Sequence, residues 1–243
     1  LLKFLTQIFC ALILIFSGHS VTIFENQFIN YAVTILWIVG LMNSINMLDN
    51  MDGITSIVSI NACFFMVIVN ISLFHTNSYA TMLNLGVLGA LCGFLVYNFH
   101  PSKMFMGDTG SQFLGLFLAV MGIDNCWNIP TSAMVNGFPV ANILIVFLVF
   151  LLPLTDTLTV IINRTKEGRS PFIGGKDHTT HHLFFKGLTE KRIAILYFLL
   201  GLIALTLAYL LVTRFSYPLF FGSLLYALLI SVSLYLNTLV KKR

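Results

Sequence analysis

Long apolar runs alternate with short polar connections along almost the whole chain. The runs lie near residues 4–18, 28–47, 54–74, 80–98, 112–123, 138–163, 193–213 and 217–239. Most have roughly 16–25 residues, long enough for a helix to cross a hydrocarbon core about 30 Å thick. The fifth run reaches that length only if its helix begins near residue 104. The pattern predicts an all-α, polytopic membrane helix bundle with about eight transmembrane helices in this chain.

The composition supports a membrane protein. Hydrophobic residues make up 58% of the 243 positions and charged residues only 9%, with a mean hydropathy of +0.92. A soluble domain carries about a quarter charged residues, so that class is excluded. We expect one integral-membrane domain over residues 1–243 with a long aqueous loop at about residues 164–192. Because the chain begins with Leu and its first run is short, we also expect an N-terminal segment to be missing.

The positive charge is distributed unevenly across the predicted membrane. Of the 13 Lys and Arg residues, all but Arg214 fall on one side when eight spans are threaded. The positive-inside rule makes that side cytoplasmic. The net charge of +4 suits anionic headgroups or a phosphorylated substrate. No aromatic-basic platform accompanies it, so nucleic acid is not an expected partner. The four scattered cysteines show no metal-binding or redox spacing.

Three polar segments interrupt the apolar pattern, and all three fall on the basic side. The first polar segment, residues 43–53 (NSINMLDNMDG), repeats an amide or an acid every third position. One continuous helix would spread this row around its axis. We therefore expect the helix to end near Leu48, with Asp49 and Asp52 in a loop where Gly53 permits a tight turn. Two acids with two amides exceed what helix capping requires, which favours a functional site.

The second polar segment, residues 105–111 (FMGDTGS), places Asp108 just before or within the first turn of a membrane helix. Helix N-termini attract anions, and glycines such as Gly107 let a phosphate approach the backbone. A carboxylate there suits Mg²⁺ shared with a diphosphate. Lys103 is either a phosphate partner or a membrane anchor.

The third polar segment, residues 174–182 (GGKDHTTHH), combines glycines and a lysine with His178, His181 and His182. A basic loop without cysteine is a poor zinc site, so phosphate contact or acid–base chemistry is the better interpretation. Asp156 lies within the sixth apolar run. An acid inside a membrane marks either function or a buried hydrogen-bonded pair, and both readings stay open.

Together these motifs resemble the polyprenyl-phosphate N-acetylhexosamine-1-phosphate transferases, in glycosyltransferase family 4. The first segment is similar to the family's NxxNxxDGxDG stretch, with Asn50 in place of one Gly. Asn98 and the second segment resemble its Asn-then-FMGD stretch. The third segment resembles the histidine loop of the undecaprenyl-phosphate GlcNAc-1-phosphate transferase branch more than that of the phospho-MurNAc-pentapeptide branch, and it departs most at His182.

The resemblance implies transfer of a HexNAc-1-phosphate, expected to be GlcNAc-1-phosphate, from a UDP-N-acetylhexosamine to undecaprenyl phosphate with release of UMP. It implies Mg²⁺, or Mn²⁺, held by Asp108 with Asn46 or Asp49. Catalytic roles would fall to Asp49, Asp52, His178 and His181. The implied substrate-binding residues are Asn43, Asn98, Lys103, Gly107, Arg164, Arg169, Lys176 and His182.

The expected location is the inner membrane of a bacterium, with the site on the cytoplasmic face; a homodimer is left open. The family's paired-aspartate DDxxD motif does not occur in this sequence, which agrees with a missing N-terminal segment. The alternatives are a phospho-MurNAc-pentapeptide transferase, an inactive fragment, and a transporter that uses Asp156 as an ion site.

Overall fold

The computed structural model describes residues 2–74, 79–129, 140–170 and 174–239, in which helices and short connections occur without any strand. These ranges contain ten α-helices and one π-helical turn, Ile123–Trp127, which directly follows the fifth helix. The α-helices are α1 Leu2–Phe16, α2 Gln27–Leu48, α3 Ile54–Phe74, α4 Tyr79–Asn98, α5 Gly107–Gly122, α6 Val140–Val149, α7 Leu151–Lys166, α8 Thr179–Phe185, α9 Glu190–Thr213 and α10 Tyr217–Leu239.

Local sequence signals explain several helix boundaries. The side chain of Asn26 accepts a hydrogen bond from the backbone N–H of Phe28 and caps the start of α2. At its other end α2 stops at Leu48, as predicted. Gly53 then adopts φ +74°, a left-handed conformation that glycine reaches without steric cost, and α3 begins at the next residue. Asp49 and Asp52 therefore lie in a short turn between two membrane helices.

The helical class is confirmed, but the count of eight spans is not. Within the described ranges, five helices are long and apolar enough to cross a membrane: α2, α3, α4, α9 and α10. The helices α6 and α7 would together form a sixth, although they are bent by 83°. With 15 and 16 residues, α1 and α5 are shorter. Residues 143–154 of the predicted run at 138–163 are all apolar, so hydropathy did not reveal the break at Phe150. Residues 138–139 of that run lie outside the described ranges.

The bend between α6 and α7 occurs at Phe150, which is fully buried. Pro153 lies in the first turn of α7. Proline is tolerated there because the first N–H groups of a helix have no intrahelical partner. The new direction of α7 determines where Asp156 and Arg164 lie.

The helices α2 and α5 approach each other closely. A Cβ atom placed on Gly115 would lie 2.7 Å from the Cα atom of Met42. The indole N–H of Trp37 donates a hydrogen bond of 3.0 Å to the carbonyl oxygen of Ala119 along the same interface. Small residues allow this kind of backbone contact between membrane helices. The contact brings the C-terminal end of α2 beside the N-terminal end of α5.

Polar contacts at both ends of the bundle agree with the predicted threading. At one end the ring nitrogen Nδ1 of His19 lies 3.4 Å from Asp124, and both residues come from predicted outer loops. At the other end the ammonium of Lys3 donates a 2.7 Å hydrogen bond to the amide oxygen of Asn46. The second end contains the three polar segments.

Candidate active site

Asn46 and Asp108 join the first polar segment to the second. The amide nitrogen of Asn46 donates hydrogen bonds to Asp108 Oδ1 at 3.1 Å and to Ser111 Oγ at 2.8 Å. An ammonium can only donate, so the contact from Lys3 identifies the outward-facing atom of Asn46 as its oxygen. Asn46 thus holds the Asp108 carboxylate in place and keeps its own oxygen against Lys3.

Asp49 forms the C-terminal cap of α2 and is half-buried. Burial raises the pKa of the Asp49 carboxyl, and the negative charge of Asp108 raises it further. The two acids therefore act on each other electrostatically although 59 residues separate them in sequence. A bound cation would relieve this repulsion.

Asn98 connects the turn after the first segment to the loop before the second. Its oxygen accepts hydrogen bonds from the Gly53 N–H at 3.2 Å and the Ser56 hydroxyl at 3.0 Å, and its nitrogen donates to the Met104 carbonyl at 2.9 Å. It is almost completely buried. The resemblance implies that Asn98 binds substrate. In the structure both atoms of its side-chain amide are bonded to the protein, and Asn98 holds the two segments together. A small cleft of about 150 Å³ opens beside it, lined by Asp49, Asn50, Met51, Asp52, Asn98 and Phe105.

Asp52 belongs to a group of ionisable residues that sequence reasoning missed. Its Oδ2 atom lies 3.0 Å from Nδ1 of His100 and accepts a 3.0 Å bond from the Ser102 N–H. The same His100 nitrogen lies 2.9 Å from Glu190 Oε2. In the sequence His100 is isolated between two motifs, and Glu190 is an ordinary acidic residue in the first turn of a helix. Only folding shows that they meet Asp52.

Arg164, in the last turn of α7, is hydrogen-bonded to Asp177 of the third polar segment. It is nearly buried, and its Nε and Nη2 atoms donate to the two oxygens of Asp177 at 2.7 and 2.6 Å. This bidentate bond lowers the pKa of Asp177. Arg169 is exposed, pairs with Glu167, and lies 3.5 Å from Asp177. Of the two arginines predicted to bind phosphate, Arg169 is the one whose guanidinium reaches solvent.

Asp156 is a buried hydrogen-bond partner of the histidine loop. His178 Nδ1 lies 2.7 Å from its Oδ2 atom, and the Thr179 N–H donates to its Oδ1 atom at 2.8 Å. The Thr179 hydroxyl donates to the same Oδ1 and contacts the hydroxyl of Tyr197 at 2.6 Å. Of the two readings left open, the structure shows the hydrogen-bonded pair, and that pair includes a predicted catalytic histidine.

A larger cleft of about 300 Å³ lies between the first and third segments. The Thr180 hydroxyl donates a 2.6 Å bond to Asn50 Oδ1 and ties the segments together. Burial lowers the pKa of the His181 ring, and the nearby positive charge of Lys176 also lowers it. The cleft is lined by Asn50, Met51, Asp52, Lys176, His181, Phe184, Phe185 and Glu190.

The remaining predicted residues divide into two groups. The side-chain amides of Asn43 and Gln7 exchange hydrogen bonds, and Gln7 also donates to Gln112. The amide of Asn43 therefore faces a neighbouring helix. Lys103 and Gly107 are exposed near Asp108, and Gly107 has φ +69°. Half-buried His182 has its ring centroid 6.0 Å from that of Phe185.

Comparison with known proteins identifies the family. The family model described as glycosyl transferase family 4 matches residues 1–126, which contain the first two polar segments. The chain belongs to this family. The described part of the chain also contains several helices that are long and apolar enough to cross a membrane. The chain is therefore a multi-pass membrane protein.

Three relatives show the range within the family. A probable undecaprenyl-phosphate N-acetylglucosaminyl 1-phosphate transferase of Bacillus subtilis is 30% identical over 210 residues, 83% of this chain and 56% of the relative. A decaprenyl-phosphate N-acetylglucosaminephosphotransferase of Mycolicibacterium smegmatis is 30% identical over 197 residues, 77% and 48%. A phospho-N-acetylmuramoyl-pentapeptide-transferase of Carboxydothermus hydrogenoformans is 34% identical over 178 residues, 71% and 48%. The chain spans about half the length of these relatives.

Proposed function

We propose that the protein transfers GlcNAc-1-phosphate from a UDP-sugar to undecaprenyl phosphate and releases UMP. An oxygen of the lipid phosphate forms a bond to the sugar-linked phosphorus while that phosphorus loses its bond to the UMP oxygen. The proposal is carried by the hydrogen bond that joins Asn46 of the first segment to Asp108 of the second at one end of a membrane bundle, with Asp49 three residues after Asn46. Relatives named for GlcNAc-1-phosphate transfer support the choice of substrates.

The residues at this site fit a divalent ion such as Mg²⁺, or Mn²⁺. Carboxylate oxygens are the ligands that Mg²⁺ prefers, and the exposed Asp108 and the electrostatically coupled Asp49 supply them. Asn46 would orient Asp108, and its own oxygen could serve as a ligand only after leaving Lys3. When bound, the ion would neutralise charge on the diphosphate during phosphoryl transfer.

The other residues bind and orient the two phosphate groups. Lys176 in the larger cleft and the exposed Arg169 would hold the nucleotide diphosphate through charge-assisted hydrogen bonds. Lys103 and Gly107 would receive phosphate at the N-terminal end of α5. Asp52, held by His100 and the Ser102 N–H, would orient the lipid phosphate. Arg164 would act indirectly, by fixing Asp177.

The lipid substrate would approach from the membrane side of Asp108. Three apolar side chains are exposed there, one just before the second segment, one on it and one on α5: Met104, Phe105 and Phe113. Phe105 also lines the smaller cleft with the acids. The excess of basic residues on this side supports a location on the cytoplasmic face of the bacterial inner membrane.

The second candidate is transfer of phospho-MurNAc-pentapeptide, supported by a relative that carries that name. A relative named for GlcNAc transfer matches over 83% of this chain, whereas three relatives named for phospho-MurNAc-pentapeptide transfer match over 71–79%. Assaying both nucleotide sugars with undecaprenyl phosphate separates the two, because only the true donor releases UMP.

The Asp108→Asn variant tests the proposed metal site. We expect it to lower Mg²⁺-dependent UMP release about 100-fold, because the neutral amide cannot counter the charge of the ion. The protein is assayed in membranes with a panel of UDP-sugars. Asp124→Asn is the matched control, since Asp124 pairs with His19 at the opposite end of the bundle, and it should retain normal activity. Undiminished release by Asp108→Asn would refute the metal assignment; absence of release by the unaltered protein with every donor would refute the reaction.

A further inference from the structure

Asp156 is a fully buried carboxylate that has no role in the reaction as proposed above. It lies in α7, at 0% exposure, and its two oxygens accept hydrogen bonds from two consecutive residues of the histidine loop. An ionised acid at this depth is costly unless such bonds compensate it. Those bonds determine which ring nitrogen of His178 carries the hydrogen.

The hydrogen-bond donors around Asp156 assign the proton on the imidazole of His178. An ionised carboxylate only accepts, so His178 Nδ1, 2.7 Å away, carries the hydrogen. In the neutral ring the other nitrogen, Nε2, then has a lone pair and is an acceptor. Nε2 is bonded to none of the residues that the structure describes.

The surrounding structure fixes the direction of this ring. Arg164 clamps the preceding residue, Asp177, through two hydrogen bonds. Thr179 begins α8 with both its N–H and its hydroxyl on Asp156. His181, one turn later, lines the larger cleft, and its ring centroid lies 6.0 Å from that of His178. The imidazole is therefore held rigidly at 5% exposure beside the cleft.

We propose that Asp156 is the positioning residue of His178. It holds the ring with Nδ1 protonated, so that Nε2 remains a hydrogen-bond acceptor for a sugar nucleotide that enters beside the larger cleft, which His181 of the same loop lines. This inference rests on the proposed function and adds a role for a residue that does not itself touch substrate. Carboxylates that orient a functional histidine in this way change activity through the histidine alone.

The Asp156→Asn variant should move the hydrogen on the His178 ring from one nitrogen to the other. The Thr179 N–H can only donate, so it requires that the oxygen of the new amide stay at the Oδ1 position. The amide nitrogen then faces Nδ1 of His178, and two donors cannot share one hydrogen bond. The ring must carry its hydrogen on Nε2 instead, so that this nitrogen changes from an acceptor to a donor.

A double-mutant cycle on catalysis tests the proposal. The protein in membranes is assayed for UMP release as Asp156→Asn, as His178→Ala, and as the double variant. We expect Asp156→Asn to lower kcat about 10- to 100-fold and to have less than a threefold effect in the His178→Ala background. Tyr197→Phe is the matched control. It removes a hydroxyl that contacts Thr179 and leaves the bond between Asp156 and His178 in place, so kcat should stay within about twofold.

A purely structural role would give a different result. Asp156→Asn would then lower activity by the same factor with or without the histidine, and its melting temperature in detergent would fall in parallel. Either that additivity or a normal kcat in Asp156→Asn overturns the proposal.

A spectroscopic measurement keeps this inference separate from the proposed reaction. In ¹⁵N NMR of histidine-labelled protein in lipid bilayers, the signal lost in His178→Ala identifies His178 among the six histidines. We expect the Nδ1–H tautomer in the unaltered protein and the Nε2–H tautomer in Asp156→Asn. An Nε2–H tautomer in the unaltered protein overturns the proposal whether or not any UDP-sugar is a substrate.

Discussion

Arg164 shows how much a single side chain depends on its neighbour. From the sequence it was predicted to bind phosphate, because it begins a basic, glycine-rich loop. In the structure its side chain is 3% exposed and forms a bidentate pair with Asp177. Such a pair has little tolerance for loss of one partner, because the remaining charge stays buried. The pair therefore supports the loop that carries the histidines.

We predict that Asp177→Ala lowers the free energy of unfolding by about 2–3 kcal/mol. The measurement is denaturant or thermal unfolding of the purified protein in detergent. Because the pKa of Asp177 is lowered in the folded state, the pair stabilises the protein above the ordinary carboxyl pKa. That contribution is lost as the pH falls through the lowered value. Glu167→Ala, which removes only an exposed partner of Arg169, should change stability by less than about 1 kcal/mol. Equal effects of the two substitutions would contradict this account.

Other residues at this scale could be identified by type and spacing alone. Asp49 and Asp108 stand out because acids beside amides and glycines are rare in so apolar a chain, and in the structure Asn46, three residues before Asp49, bonds to Asp108. His100 and Glu190 carried no such signal, since each is a single polar residue near a helix end. Their meeting with Asp52 depends on contacts between residues 48 to 138 positions apart, which no local pattern contains.

At the scale of the helices, the site depends on the close contact of α2 and α5. Asn46 reaches Asp108 because the two backbones approach at Gly115. The contact lies two turns away from Asp108, so a change there can alter the site without touching it.

We predict that Gly115→Ala separates α2 from α5 and lowers both UMP release and the melting temperature. Its Cβ atom would lie 2.7 Å from the backbone of Met42, which cannot move without the helix. Gly89→Ala in α4 is the matched control, because no atom lies within 4 Å of its Cβ position. It should leave both quantities close to those of the unaltered protein. Normal activity and melting of Gly115→Ala would show that the interface adapts.

Helix positions were largely predictable, but helix directions were not. Apolar runs predicted the long helices because a membrane requires about 20 apolar residues per span. The 83° bend between α6 and α7 falls inside a continuous apolar stretch, so no polar residue marks it. Since α7 carries Asp156 and Arg164, the bend decides that both reach the third polar segment.

At the scale of the whole molecule, the two ends of the bundle carry different residues. One end contains the acids, the clefts and Lys176, whereas Arg214 follows α9 toward the other end. Lys241, Lys242 and Arg243, which the charge argument also used, lie outside the described residues.

We predict that a cysteine in place of Lys176 is labelled by a membrane-impermeant thiol reagent in inside-out vesicles and not in intact cells. Arg214→Cys should show the reverse, because it lies on the side with few basic residues. The unaltered protein, with its four native cysteines, measures the background. Labelling of both variants from the same side would invalidate the predicted orientation.

The sequence by itself determined a helical membrane protein, its basic side, and the acids and histidines that are the candidates for chemistry. These follow from composition and short-range spacing, because hydrophobic length and residue type act locally. Only the tertiary structure decided which groups stay open to substrate and which are consumed by the protein. Arg164, Asn98 and Asn43 are bonded to neighbours, whereas Asp156 becomes the partner of His178. Hydrogen bonds of this kind are satisfied by whatever side chain packing brings within 3 Å, and a linear sequence does not contain that distance.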